Sequence, residues 1–126
     1  MKILIVDDDP VNRRLFQVQI KRLGFDVDVA DRGEEAVAAF AADPEAYDLV
    51  LMDIRMPGMD GFETTRRIRE VTQARTTPLP VLALTAHIMR YDQSKLREAG
   101  LDDHLTKPVS QDQLREALGR WLPSDT

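Results

Sequence analysis

The sequence predicts an α/β fold: one domain of (βα)5 doubly wound architecture, with a five-stranded parallel sheet. Three observations predict it. Short apolar runs at 2–6, 49–52 and 81–84 lack polar alternation, as strands buried on both faces do. Two further short runs, 25–29 and 101–106, are mixed or alternating, as suits the sheet's edges. Between these runs lie stretches of helical spacing and crossover length, and strict strand–helix alternation implies a parallel sheet covered on both faces.

The first strand, KILIV, runs straight into Asp7-Asp8-Asp9-Pro10. Pro10 fits the first position of a helix and Asp9 its N-cap. Val11, Leu15, Val18 and Ile20 to Leu23 then form the expected inner face, with Asn12, Arg13, Gln17 and Lys21 turned outward; Gly24 stops the helix. FDVDV alternates with period two, an edge strand with one wet side. Arg32-Gly33-Glu34-Glu35 opens a second helix with acids where the dipole favours them. Its inner face is Ala36, Val37 and Phe40, and Asp43-Pro44 closes it.

The third strand, LVLM, ends at Asp53 and turns through Met56-Pro57-Gly58. A helix over 62–73 follows, with Phe62, Thr65, Ile68 and Val71 inward and Arg66, Arg67, Arg69 and Glu70 toward water. Thr76-Thr77-Pro78-Leu79-Pro80 breaks the chain before the fourth strand, VLAL, which ends in Thr85. A more polar helix spans 90–99 and Gly100 ends it. After the fifth strand and Lys107-Pro108, Ser110-Gln111-Asp112-Gln113 reads as a capping box. Leu114, Leu118 and Trp121 stripe the last helix.

Composition narrows the chemistry. The chain has 126 residues, 43% hydrophobic and 31% charged, enough for one domain. We expect residues 1–126 to form that domain with no effector domain attached. The absence of cysteine excludes disulfides, thiolate zinc sites and cysteine nucleophiles, and two histidines are too few for a histidine metal cage. A net charge of −5 argues against a nucleic-acid surface and suits a hard divalent cation held by oxygens. No run is long enough to span a membrane and no signal-peptide layout is present, so a cytoplasmic location is expected.

The sharpest signal is positional. In open α/β sheets, ligands gather at the carboxyl ends of the strands. Here those ends carry Asp7 and Asp8, Asp53 and Thr85, and Lys107 follows the fifth strand. Each alone has an ordinary structural explanation; together they predict one polar site. Asp53 is the candidate nucleophile or metal ligand. Clustered carboxylates repel unless a cation joins them, and Mg²⁺, or Mn²⁺, suits an all-oxygen set. Lys107 offers a point charge to a phosphate oxygen.

The segments ILIVDDDP, LVLMDIRMPGMDGFE, LALTA and HLTKP, in this order, make the whole chain resemble a response-regulator receiver domain of two-component signalling. The resemblance implies a flavodoxin-like strand order, 2-1-3-4-5. It implies Asp53 as phosphoacceptor, Asp7 and Asp8 as the acidic pair, Thr85 as switch hydroxyl and Lys107 as phosphoryl-binding lysine. Mg²⁺ would then be held by Asp8 and Asp53, by Asp7 through water, and by the backbone carbonyl of Arg55. The Lys107-Pro108 bond is expected to be cis. His104 stands where the family places its switch aromatic, and its imidazole costs more to bury than a phenyl ring and titrates in the physiological range.

The implied activity is a phosphoacceptor switch, not an enzyme acting on other substrates. The chain would catalyse only its own phosphorylation and autodephosphorylation. Thr85 and His104 would relay the added charge, roughly −1.5 to −2, to the face formed by the fourth helix, fifth strand and fifth helix. Arg55, Ala86 and His87 are expected to rim the pocket, with Arg55 and His87 setting how fast water reaches the acyl phosphate. Partners would be a sensor histidine kinase or histidine-phosphotransfer domain as donor, and a protein target of the phosphorylated form; no direct nucleic acid or membrane contact is expected. Two alternatives stand beside this reading. One is a receiver-like interaction module that is never phosphorylated. The other is a haloacid-dehalogenase-type phosphatase with Asp7 as nucleophile, since Asp7-Asp8-Asp9-Pro10-Val11 spells D-x-D-x-V after a strand. The central segments look most like receivers of hybrid sensor kinases, whereas Met1 leading straight into the first strand suggests a stand-alone regulator.

Overall fold

The computed structural model describes residues 1–86 and 90–122, the side chains of 90–92 excepted. Five strands, β1 (Lys2–Val6), β2 (Asp26–Ala30), β3 (Leu49–Asp53), β4 (Val81–Thr85) and β5 (Asp103–Thr106), form one parallel sheet in the order β2-β1-β3-β4-β5. Five helices, α1 (Pro10–Arg22), α2 (Gly33–Ala42), α3 (Gly61–Val71), α4 (Arg90–Ala99) and α5 (Gln111–Trp121), make the crossovers. The sheet order reverses between β1 and β3, so a crevice opens at their carboxyl ends.

Side-chain alternation along the strands builds two cores. Leu4, Val6, Val50, Met52, Val81 and Ala83 pack with Phe40, Ile68 and Leu96 on one face. Ile3, Ile5, Leu49, Leu51, Leu82 and Leu84 pack with Phe16, Ile20, Leu114 and Leu118 on the other. β1, β3 and β4 are buried almost throughout, which is why their sequences lack alternation. β2 and β5 are the edges, as expected, though β2 begins one residue later than its sequence pattern suggests and β5 two.

The caps follow the sequence. Asp9 accepts the Val11 amide, Asp60 accepts the Glu63 amide, and Ser110 and Gln113 form the reciprocal capping box. Asp60 sets the start of α3 at Gly61, and α3 ends at Val71, before Gln73.

Two expectations about helix faces are corrected. In α1 the buried residues are Phe16, Gln19 and Ile20, while Val11 (72% exposed), Leu15 and Val18 face solvent. Both sides of this helix are apolar enough to pass for the inner one, and the true inner face carries a glutamine. In α3, Arg69 does not point to water: its guanidinium donates to Gly100 O twice, to Leu79 O and to Asp102. It thereby ties α3 to the turns that lead into β4 and β5.

Candidate functional site

β1 and β3 are neighbours and deliver Asp7 and Asp53 to the same end of the sheet. Asp7 is fully buried; its Oδ1 accepts the Asp9 amide at 2.9 Å, and its backbone carbonyl accepts Arg13 Nη1 at 2.8 Å. Arg13 was expected to point outward. Its place in the second turn of α1 lets the long side chain curl back over the loop, a reach the helical pattern alone does not reveal. Asp8 stays exposed at the mouth. Carboxylate oxygens of Asp7, Asp8 and Asp53 lie within 4.8 Å of one another. This donor set consists of hard oxygens on one side of an open cleft, and it fits Mg²⁺ or Mn²⁺.

Lys107 enters from the far edge. Its Nζ lies 3.2 Å from Asp7 Oδ2 and 3.5 Å from Asp53 Oδ1. Its backbone amide donates to Thr85 O at 2.7 Å, and the following Lys107-Pro108 bond is cis. Burial, and then the Asp7 carboxylate, push the Asp53 carboxyl up to about 7, against a smaller downward pull from Lys107. Asp53 Oδ1 also accepts the Arg55 amide at 3.2 Å.

Behind Asp53 the backbone is closely packed. Gly61 N donates to Ile54 O at 3.0 Å, and a Cβ on Gly61 would collide with the Asp53 carbonyl and stand 2.7 Å from Ile54 Cα. Glycine is therefore required where α3 begins.

Thr85 ends β4 with its hydroxyl buried and without a hydrogen-bond partner among the described residues. Such a group is costly to leave unmet and is a ready donor for an arriving oxygen. The cleft has a volume of about 840 Å³, and Arg55, Ala86 and Lys107 line it together with the three aspartates and Thr85. Phe62, Lys95 and Leu96 form a further wall, with Lys95 Nζ 5.7 Å from the Phe62 ring centre. Lys95 was not anticipated; only the packing of α4 on α3 brings it here.

His104 does not line this cleft. The register Ala83↔His104 and Thr85↔Thr106 sets it one pleat away on the same face as Thr85. Its side chain is about one-third exposed, and its Nδ1 is 3.9 Å from Asp103 Oδ1. His87 lies outside the described residues.

Fold and site together define the receiver class of signalling domain. The chain belongs to the response regulator receiver domain family, whose model matches residues 3–119. It is 43% identical over 121 residues to the sensor histidine kinase GacS of Pseudomonas protegens, covering 95% of this chain and 13% of that kinase. The chain thus spans about one-eighth of that relative's length. The receiver domain of sensor histidine kinase PA1611 from Pseudomonas aeruginosa, solved with a magnesium ion coordinated in its active-site cleft, is 36% identical with a TM-score of 0.84, covering 98% of each chain. The receiver domain of Ssk1 from Saccharomyces cerevisiae, solved with the histidine phosphotransfer protein Ypd1, is 26% identical with a TM-score of 0.86, covering 96% of this chain and 88% of that one.

Proposed function

We propose that the chain is a phosphoacceptor switch in a two-component or phosphorelay system, with Asp53 the residue phosphorylated. The observation that carries this is the position of Lys107 Nζ between Asp7 and Asp53, inside an acidic trio at the switch point of the sheet. An Asp53 oxygen attacks the phosphorus of a donor phosphohistidine. The P–N bond breaks, its electron pair returns to the imidazole, and an acyl phosphate forms. Asp8 and Asp53 directly, Asp7 through water and the Arg55 carbonyl would hold Mg²⁺, which supplies charge neutralisation and alignment to the phosphoryl group when bound.

Lys107 compensates the charge that phosphorylation adds, and the Thr85 hydroxyl donates a hydrogen bond to a phosphoryl oxygen. The carbonyl of Thr85 already holds the Lys107 amide, so the two responding groups share one backbone link. Movement of Thr85 opens space on the face it shares with His104 and biases the α4–β5–α5 surface toward a second state read by a protein target. Arg55, exposed at the rim, governs access of water to the acyl phosphate and hence autodephosphorylation.

The donor is a histidine-phosphotransfer domain or the histidine-bearing helices of a sensor kinase, in the cytoplasm. Val11, Leu15 and Val18 support this: they form an exposed apolar stripe at helical spacing on α1, which begins at the acidic loop. A cavity of about 230 Å³ adjoins it, lined by Asn12, Leu15, Pro108 and Val109 among others. The phosphatase reading has no comparable support, because Asp7, its required nucleophile, is fully buried with oxygens engaged by the Asp9 amide and Lys107.

A phosphorylated histidine-phosphotransfer domain tests the proposal. Its label is expected to move to this chain and to be refused by Asp53→Asn. Leu15→Asp is expected to slow transfer from the protein donor while leaving phosphorylation by acetyl phosphate intact. Transfer to Asp53→Asn at the wild-type rate would overturn the assignment.

A further inference from the structure

Gln19 is a buried amide in an apolar seam. It lies on α1 beside Phe16 and Ile20, in the layer that Leu114, Ala117 and Leu118 complete, and is 8% exposed. Its Nε2 donates to Val109 O at 2.9 Å, while its backbone carbonyl accepts Gln111 Nε2 at 2.9 Å. Its Oε1 has no partner among the described residues. Leucine or methionine would fill this place and remove the unmet Oε1 at the loss of the donor to Val109 O, so packing alone does not explain the amide.

What the amide does hold is the segment that follows Lys107. On one side the Lys107 amide is bound to Thr85 O. On the other, two residues on, the carbonyl of Val109 is bound to Gln19, and Gln111 makes a second tie to the same residue of α1. A lysine side chain has many rotamers, and its ammonium stays near two carboxylates only if the backbone that carries it is fixed.

We infer that Gln19 is a positioning residue for Lys107: the Gln19–Val109 and Gln111–Gln19 ties brace the 107–111 segment against α1 so that Lys107 Nζ meets the phosphoryl group. The inference rests on the role proposed above for Lys107. It also joins the helix carrying the exposed stripe to the cation that phosphoryl transfer uses.

The test is phosphorylation by acetyl phosphate at saturating Mg²⁺, read alongside Mg²⁺ affinity and melting temperature. Gln19→Met keeps volume and removes the donor. It should slow phosphorylation on the order of tenfold, below the roughly 100-fold that a 1 Å misplacement can cost. Mg²⁺ affinity should not fall, because none of the three aspartates is bonded to Gln19, and any rise should be smaller than in Lys107→Ala, where the competing cation is removed outright. Gln111→Ala, on the partly exposed first turn of α5, should shift the rate the same way by less and serves if Gln19→Met does not fold. Leu118→Ala, in the same layer, should lower the melting temperature without changing the rate of the folded protein. A wild-type rate in Gln19→Met or, should that variant not fold, in Gln111→Ala, with Lys107→Ala impaired, would overturn the inference alone. So would rates that fall in step with stability in Gln19→Met and Leu118→Ala. A wild-type rate in Lys107→Ala would overturn the proposed function as well.

Discussion

Lys107 Nζ rests 3.2 Å from Asp7 Oδ2, one hundred residues away along the chain. The pair means that a cation already sits against two of the three carboxylates that form the acidic trio. Lysine and a divalent cation therefore draw on the same oxygens. In Lys107→Ala, Mg²⁺ is expected to bind several-fold more tightly, on the order of 1 kcal/mol for relief from a competing partly buried charge. Phosphorylation by acetyl phosphate is expected to slow by about 100-fold or more. Calorimetric Mg²⁺ titration together with phosphorylation kinetics checks both, and weaker Mg²⁺ binding in the variant would contradict the shared-oxygen account.

The Asp53 carboxyl, pushed up to about 7 by burial and then by Asp7, predicts an unusual pH dependence of stability. The folded protein binds a proton that the unfolded chain, with an ordinary aspartate near 3.8, has already released. Stability from this group is fully present below about pH 4 and lost as pH rises through about 7. Asp53→Asn removes the penalty. Without metal it should raise the melting temperature by about 5 °C at pH 8, and the gain should shrink as pH falls and vanish below about pH 4. An equal gain at both ends of that range would show that the ionised form is not the cause.

Thr85 Oγ1 is buried without a partner among the described residues, so Thr85→Val should leave the resting protein's stability unchanged or raise it by up to ~1 kcal/mol. The same change should abolish the phosphorylation-dependent change in amide exchange across α4, β5 and α5. Chemical denaturation and hydrogen exchange read the two effects separately. A large loss of stability would mean that the hydroxyl has a structural partner in the resting state.

Trp121 Nε1 donates to Asp103 Oδ2 at 3.0 Å, and the other oxygen of Asp103 accepts the His104 amide at 2.8 Å. Trp121 fluorescence is expected to change little on adding Mg²⁺ and to change on phosphorylation, when His104 moves. Fluorescence titration of wild type and His104→Ala separates the two; a strong Mg²⁺ response with none to phosphorylation would contradict the relay.

The strands were legible because burial on both faces leaves a plain signature, as in KILIV and LVLM, and because cap chemistry is local, as at Asp9 and Ser110. Asp7, Asp8, Asp53, Thr85 and Lys107 could be brought together from sequence, since parallel strands carry their ends to one edge. The face of α1 could not. Val11, Leu15 and Val18 keep as regular a helical spacing as the true inner residues, and Gln19 disguised the inner side. Arg13, Arg69 and Lys95 were missed for a related reason: a long cationic side chain can curl to a backbone carbonyl or lie against an aromatic ring, and position on a helix does not say which.

The most direct measurement is intact mass after incubation with acetyl phosphate, with and without Mg²⁺, for wild type and Asp53→Asn. The account predicts a gain of one phosphoryl group by wild type in the presence of Mg²⁺, and none by wild type without Mg²⁺ or by the variant in either condition. An equal gain in Asp53→Asn, or no gain by wild type with Mg²⁺ present, would contradict it.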